Sequence, residues 1–203
     1  MSASPKIVIA GAGIIGAVAA FELSRAGADV TIIEARPRPG EGVSASSFGW
    51  INAITFDPEN DPSIYALRQQ AIGAWAALEQ ALGKPLPAHR QGALFWGDTR
   101  AETMEARDRH REAGCDYRIV DRVEIAELLP QLTLPPEAAL FAPEEFALDV
   151  TATARMLLKA AEENGATLIT GTEITAIESA GGRVRAVRAG DTLLEADRLI
   201  VAA

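Results

Sequence analysis

An α/β fold built on a parallel sheet, with a short β-meander and an α+β unit inserted into it, is predicted from three observations. A β-branched strand, a glycine-rich turn and a helix open the chain, and a second strand follows at once. Strand and helix grammar of the same kind returns after Asp149 and leads into short strands separated by glycine turns. Between these stretches lie helices and short strands that alternate less regularly. The expected division is residues 1–55 with 149–203 for the sheet unit and 56–148 for the inserted unit.

Each element has its own signal. Lys6–Ala10 is short and β-branched, as a buried strand is. After Gly11, Gly13 and Gly16, residues Ala17, Ala20, Phe21 and Ser24 share one helical face, and Gly27 stands where a helix ends. Asp29–Ile33 is the next strand and runs into Glu34. A loop rich in Pro, Gly and Ser follows, Ala35–Ala53, in which Phe48, Trp50 and Ile51 are expected to be covered. Asp61 and Pro62 start a helix whose apolar stripe is Ile64, Leu67, Ala71, Trp75, Leu78 and Leu82, closed by Gly83. Gln91–Trp96 reads as a strand, Arg100–Ala113 as a charged surface helix and Tyr117–Val120 as a strand, after which Asp121 caps a helix ended by Pro130. Thr151–Asn164 is amphipathic through Ala154, Leu157, Leu158 and Ala161. Ala166–Thr170 is a strand, Glu173–Glu178, Arg183–Arg188 and Thr192–Leu194 form a meander, and Asp197–Ala203 is a final apolar strand.

Composition excludes several functions. The chain has 203 residues and 48% hydrophobic content, enough for one substantial core or two small ones. The 28 acidic residues outnumber the 19 scattered basic ones, which argues against a phosphate-tracking surface, so nucleic acid is not an expected partner. The apolar run from Ile7 is shorter than the roughly 20 residues a bilayer span needs. Ala17-Val18-Ala19 mimics a secretory cleavage site, but only Lys6 supplies a basic start. Cys115 is the single cysteine, which leaves no internal disulfide and no cysteine-based metal site. His89 and His110 lie among polar residues without a metal-ligand spacing, so no metal site is expected. A reducing cytoplasmic location fits this cysteine usage.

The opening motif carries chemistry. Gly11 permits a sharp turn, Gly13 lets backbone approach a pyrophosphate, and Gly16 lets the helix pack on the strand. The helix start, with Ile14 and Ile15, then turns free N–H groups and a positive dipole end toward the phosphates. Glu34 stands about 20 residues on, where an acidic side chain accepts hydrogen bonds from the adenosine ribose. Strand, turn, helix, second strand and acidic end agree on a Rossmann-like dinucleotide site. A carboxylate at Glu34 disfavours NADP and leaves FAD and NAD.

Four stretches resemble the D-amino-acid oxidase, glycine oxidase and sarcosine oxidase group of FAD-dependent amine oxidoreductases. They are KIVIAGAGIIGAVAAFELSRAGADVTIIEA, GVSASSFGWI, LDVTATARMLLKAAEENGATLI and GTEITAIESAGGRVRAVRAGDTLLEADRLIVAA. The resemblance covers the chain as the N-terminal half of such an enzyme. It implies a Rossmann-like FAD-binding domain with part of an α+β substrate domain. Gly11, Gly13, Ile14, Ile15 and Gly16 would meet the pyrophosphate, and Glu34 with Ala35 the ribose. Arg36, Ser44, Ala45 and Ser46 would lie by the adenine or phosphates, Ile174 near the adenine, and Gly49, Ala202 and Ala203 near the flavin. Trp50 and Asn52 are candidates for the flavin face.

The resemblance implies oxidation of an amino acid or related amine, with hydride leaving the α-carbon and an imine formed. Gly92–Trp96 is a candidate wall of the substrate pocket and Arg90 a candidate for the substrate carboxylate. No catalytic acid, base or nucleophile is assigned. The family's arginine directly after the strand-end Glu is displaced here to Arg36. No histidine stands in the 44–52 loop, so FAD is expected to be non-covalent. The family's carboxylate clamp and last flavin-binding segment lie in a C-terminal half outside this sequence, and a complementary half or second subunit is the expected partner. A non-catalytic FAD-binding subunit and an NAD-dependent dehydrogenase are the alternatives.

Overall fold

In the computed structural model, which describes residues 4–203, the chain falls into two compact units, 1–48 with 149–203 and 49–148. The first boundary lies at Phe48–Gly49 and not after residue 55. The reason is pairing: Trp50 and Ile51 lie antiparallel to Ala147 and Phe146, and the Leu148 N–H bonds the Gly49 carbonyl at 2.9 Å.

The first unit holds strands β1 (Lys6–Ala10) and β2 (Asp29–Glu34) with helix α1 (Ile14–Arg25) between them. Gly27, at φ 86°, closes the chain end of α1, as its position in the sequence predicts. The buried face of α1 is Gly16, Ala17, Ala20, Phe21 and Ser24. These small residues let α1 lie close to β1 and to α5 (Val150–Glu163), whose buried stripe includes Ala154, Leu157, Leu158 and Ala161. Asp149 starts α5 by accepting the Ala152 N–H at 2.8 Å.

The inserted unit contributes strands β3 (Trp50–Ile51), β4 (Ala88–His89), β5 (Ala93–Phe95), β6 (Arg118–Asp121), β7 (Ala138–Ala142) and β8 (Phe146–Leu148). They form two three-stranded antiparallel sheets, ordered β3-β8-β4 and β5-β7-β6. Its helices are α2 (Pro62–Leu82), α3 (Arg100–Glu112) and α4 (Arg122–Leu128). Asp61 caps α2 and Gly83 ends it at φ 67°. The apolar stripe expected on α2 is turned by one residue: Tyr65 and Leu78 are buried, whereas Ile64 and Leu67 are exposed. The Tyr65 hydroxyl sets this rotation by bonding His110 at 2.9 Å, a polar contact that outweighs two aliphatic side chains.

Back in the first unit, β9 (Thr167–Thr170) and β13 (Arg198–Val201) complete a parallel sheet ordered β13-β1-β2-β9. Strands β10 (Ile174–Ala180), β11 (Arg183–Ala189) and β12 (Thr192–Glu195) make the predicted antiparallel meander. Val187, Ala189 and Ala196 pack with Val8 and Ile33 into one apolar cluster that ties the meander to the parallel sheet. No helix among the described residues is long and apolar enough to cross a membrane.

Candidate functional site

The turn between β1 and α1 is made of glycine because the surrounding backbone leaves no room. A Cβ on Gly11 would stand 2.6 Å from the Ala202 carbonyl oxygen, and φ there is +101°. One on Gly13 would meet Ser44 Oγ at 2.9 Å, and one on Gly16 the Gly11 carbonyl oxygen at 2.0 Å. The chain itself thus occupies the inner side of each glycine.

The outer side is a set of donors. Gly13 is the N-cap of α1 and carries no capping side chain, and the first turn has no acidic residue. Ser44, buried in a short 3-10 turn over Val43–Ser46, accepts the Ile14 N–H through Oγ at 2.9 Å. Ile15 and Gly16 follow as first-turn donors for an external anion. The Glu34 carboxylate at the end of β2 accepts the Ala12 N–H at 2.8 Å and the Arg36 N–H at 2.9 Å. Each of its oxygens keeps a further lone pair. Glu34 therefore fastens the glycine turn to β2 while remaining an acceptor. A helix start stripped of side chains, beside a carboxylate at the neighbouring strand end, fits a dinucleotide.

The remaining first-unit candidates stand around this turn or close to it in the fold. The Arg36 carbonyl accepts the Gly171 N–H, and the Glu34 carbonyl the Thr172 N–H, which brings the start of the meander and Ile174 to the end of β2. Ala202 N–H bonds the Ala10 carbonyl at 2.8 Å, so Ala202 and Ala203 follow β13 directly beside Gly11. Ala35 continues β2; Ala45 and Ser46 are exposed next to Ser44. Gly49, Trp50 and Asn52 belong to the inserted unit. The expected burial of the loop aromatics is corrected at Phe48, which is 80% exposed, while Trp50 and Ile51 are half-buried in β3. Arg90 is engaged by Glu79 at 2.5 Å and lies 4.3 Å from the Phe146 ring, so its charge is already met inside the unit.

The inserted unit also holds a buried polar cluster that reading the sequence missed. Glu145, in the turn between β7 and β8, is wholly buried, and its Oε1 accepts the N–H groups of Ala53 and Ile54, both at 2.7 Å. Burial pushes its carboxyl above the ordinary carboxylate range, against the two backbone donors. His110 is 2% exposed, with Nδ1 2.9 Å from the Tyr65 hydroxyl and the Ile54 backbone hydrogen-bonded to the ring. Gln69 Nε2 donates to the Tyr117 hydroxyl at 2.9 Å. Desolvation raises both tyrosines well above the usual phenol range.

His110 was read as part of a polar surface. A signal was present, since Thr103, Ala106 and His110 make a buried stripe along an otherwise charged helix. Glu145 offered none, because Pro143-Glu144-Glu145 has the composition of an exposed turn.

Burial lowers the His110 pKa below its ordinary value of 6.5. The unfolded state therefore binds the proton more readily, and stability held above pH 6.5 falls as pH drops toward the folded value, by up to about 1.4 kcal/mol per pH unit. Glu145, with a raised value, acts with the opposite sign: its contribution is present below its unfolded pKa and is lost as pH rises. Comparing the pH dependence of unfolding in the native chain and in His110→Asn isolates the histidine. The native chain should lose more stability between pH 7 and 5.5; equal slopes would refute a neutral buried imidazole.

Comparison with known proteins is consistent with this architecture. The profile of the FAD dependent oxidoreductase (DAO) family matches residues 6–203. The chain is 25% identical to D-amino acid dehydrogenase 2 of Pseudomonas aeruginosa, across 98% of this chain and 60% of that protein. It is 26% identical to a D-amino acid dehydrogenase of Sinorhizobium medicae, with 97% and 60% covered. The chain thus spans about 60% of the length of these curated relatives. Among solved structures, the iminodiacetate oxidase of a Chelativorans species superposes with a TM-score of 0.80 at 27% identity, over 97% of this chain and 55% of that one. The glycine oxidase of Bacillus cereus gives 0.83 at 18% identity, with 98% and 55% covered, which establishes the shared fold.

Proposed function

The chain belongs to the FAD dependent oxidoreductase family, and from that premise we propose that it forms the FAD-holding portion of an enzyme that oxidises an amino acid or related amine. The observation that carries this reading is the donor-lined β1–α1 turn, with Glu34 and Ser44 fixed beside it. Gly11, Gly13, Ile14, Ile15 and Gly16 hold the pyrophosphate, Glu34 and Ala35 the ribose, and Arg36, Ser44, Ala45, Ser46 and Ile174 the adenylate side. Gly49, Trp50, Asn52, Ala202 and Ala203 serve the flavin end.

Bound FAD supplies the hydride acceptor for the substrate's α-hydrogen. The chain's own residues bind and orient: backbone N–H groups neutralise phosphate charge, and Glu34 fixes the ribose. The substrate-carboxylate clamp and the last flavin-binding segment come from a complementary C-terminal half or second subunit, in keeping with the greater length of the relatives. The reaction runs in the reducing cytoplasm, supported by the single cysteine.

The test is a visible absorbance spectrum of the natively purified protein, with intact mass of every co-purifying component, followed by anaerobic exposure to D- and L-amino acids. Acid-releasable FAD bleached by an amino acid is the expected result. Bound NAD, or no affinity for FAD in the complemented protein, would overturn the proposal. Flavin that is bound but never reduced by substrate would mark a non-catalytic FAD-binding subunit.

A further inference from the structure

Glu145 is a wholly buried carboxylate whose surroundings are arranged around one short piece of backbone. Strand β3 is only two residues long and pairs with β8, Trp50 opposite Ala147 and Ile51 opposite Phe146. A two-residue ladder is too short to fix the chain beyond it. The Glu145 side chain reaches past the end of that ladder and takes the next two peptides, with both N–H groups on one oxygen. His110 bonds the Ile54 backbone from the other element. The peptide bonds at Ala53 and Ile54 are thus held from two sides, and Asn52 is held against them by its own bonds to the Trp50 carbonyl and the Thr55 hydroxyl.

Local packing alone does not require this carboxylate. Burying one is costly, and Glu145 Oε2 finds no hydrogen bond of ordinary geometry among the described residues, although the Tyr117 phenol favours ionisation of the group. An apolar side chain in a turn with polar backbone partners elsewhere would fold more cheaply. What the carboxylate achieves is the fixed position of the residues just after Trp50. We propose that Glu145 is a positioning residue that sets the Trp50–Asn52 segment for contact with the cofactor. This rests on the reading of Trp50 and Asn52 as flavin-face residues given above.

An indole in contact with a flavin quenches its fluorescence by electron transfer, which fails once contact is lost. The test uses the full chain loaded with FAD and its complementing segment, and compares the native protein with Trp50→Phe, Glu145→Met and Glu145→Gln. Bound-flavin fluorescence lifetime, FAD affinity and amide exchange at Ala53 and Ile54 are measured for each. Trp50→Phe should lengthen the lifetime. Glu145→Met should lengthen it as well and speed the two amides by about tenfold or more, while FAD affinity stays within about threefold, because the glycine turn is untouched. Glu145→Gln keeps an acceptor oxygen and should restore most of both signals.

A native lifetime unchanged by Trp50→Phe would sink the flavin-face reading and this inference with it. A lifetime lengthened by Trp50→Phe but not by Glu145→Met would overturn the role of Glu145 alone. If Glu145→Met does not fold, Glu145→Asp takes its place, since it withdraws the carboxylate by one methylene and should lengthen the lifetime in the same sense.

Discussion

Gly16→Ala is expected to destabilise the chain by about 2–3 kcal/mol and to weaken FAD binding by about tenfold or more, although alanine is the better helix former. The reason is a single distance: the new methyl would stand 2.0 Å from the Gly11 carbonyl oxygen and 3.1 Å from its carbon. Neither atom belongs to a flexible side chain, so relief requires α1 to move off β1. Ala17 and Ala20, both fully buried, would then lose their contacts, and the first-turn N–H groups would leave the positions a pyrophosphate needs. Gly27→Ala is the control, because its Cβ meets open space but φ is +86°. It should cost about 1–2 kcal/mol through backbone strain and leave FAD affinity alone. Thermal unfolding with a flavin titration checks both. A Gly16→Ala chain that unfolds at the native temperature and binds FAD normally would refute the close packing assigned to this turn.

These glycines show why so much of the first unit was legible in the sequence. Each stage of that unit has a local rule: β-branched runs for buried strands, glycine where backbone crowds backbone, Asp149 before a helix, and glycine pairs in the meander. The inserted unit obeys fewer such rules. Strands β3 and β4 have two residues each, too few for alternation to register, and Ala138–Ala142 is so rich in alanine that it carries no strand signal. The register of α2 was misjudged because hydrophobicity favours Ile64 and Leu67, whereas the structure buries Tyr65 through its hydroxyl. Polar burial depends on partners from remote elements: Glu145 bonds residues more than ninety positions away. Of the candidate site, the phosphate end was therefore readable, since one continuous stretch encodes it. The cluster of Glu145, His110, Tyr65 and Tyr117 was not, because it exists only after three helices and two sheets have assembled around it.

Glu34→Ala should have the second large effect, and its two components can be separated. The carboxylate accepts the partly buried Ala12 N–H and the exposed Arg36 N–H. Water replaces the second bond readily but reaches the first with difficulty, so the stability loss is about 1–3 kcal/mol, mostly from Ala12. If Glu34 did no more than hold the turn, FAD and an analogue lacking the adenosine 2′-hydroxyl would lose affinity equally. If it also accepts from the ribose, the native chain prefers FAD, by about tenfold for a charge-assisted hydrogen bond. Glu34→Ala should abolish that preference as well as lower both affinities. Glu34→Gln provides the intermediate case, with one acceptor oxygen for two backbone donors, and should retain part of the stability. Equal affinities of the native chain for the two cofactors would show that Glu34 serves the turn alone, with the ribose left to other groups.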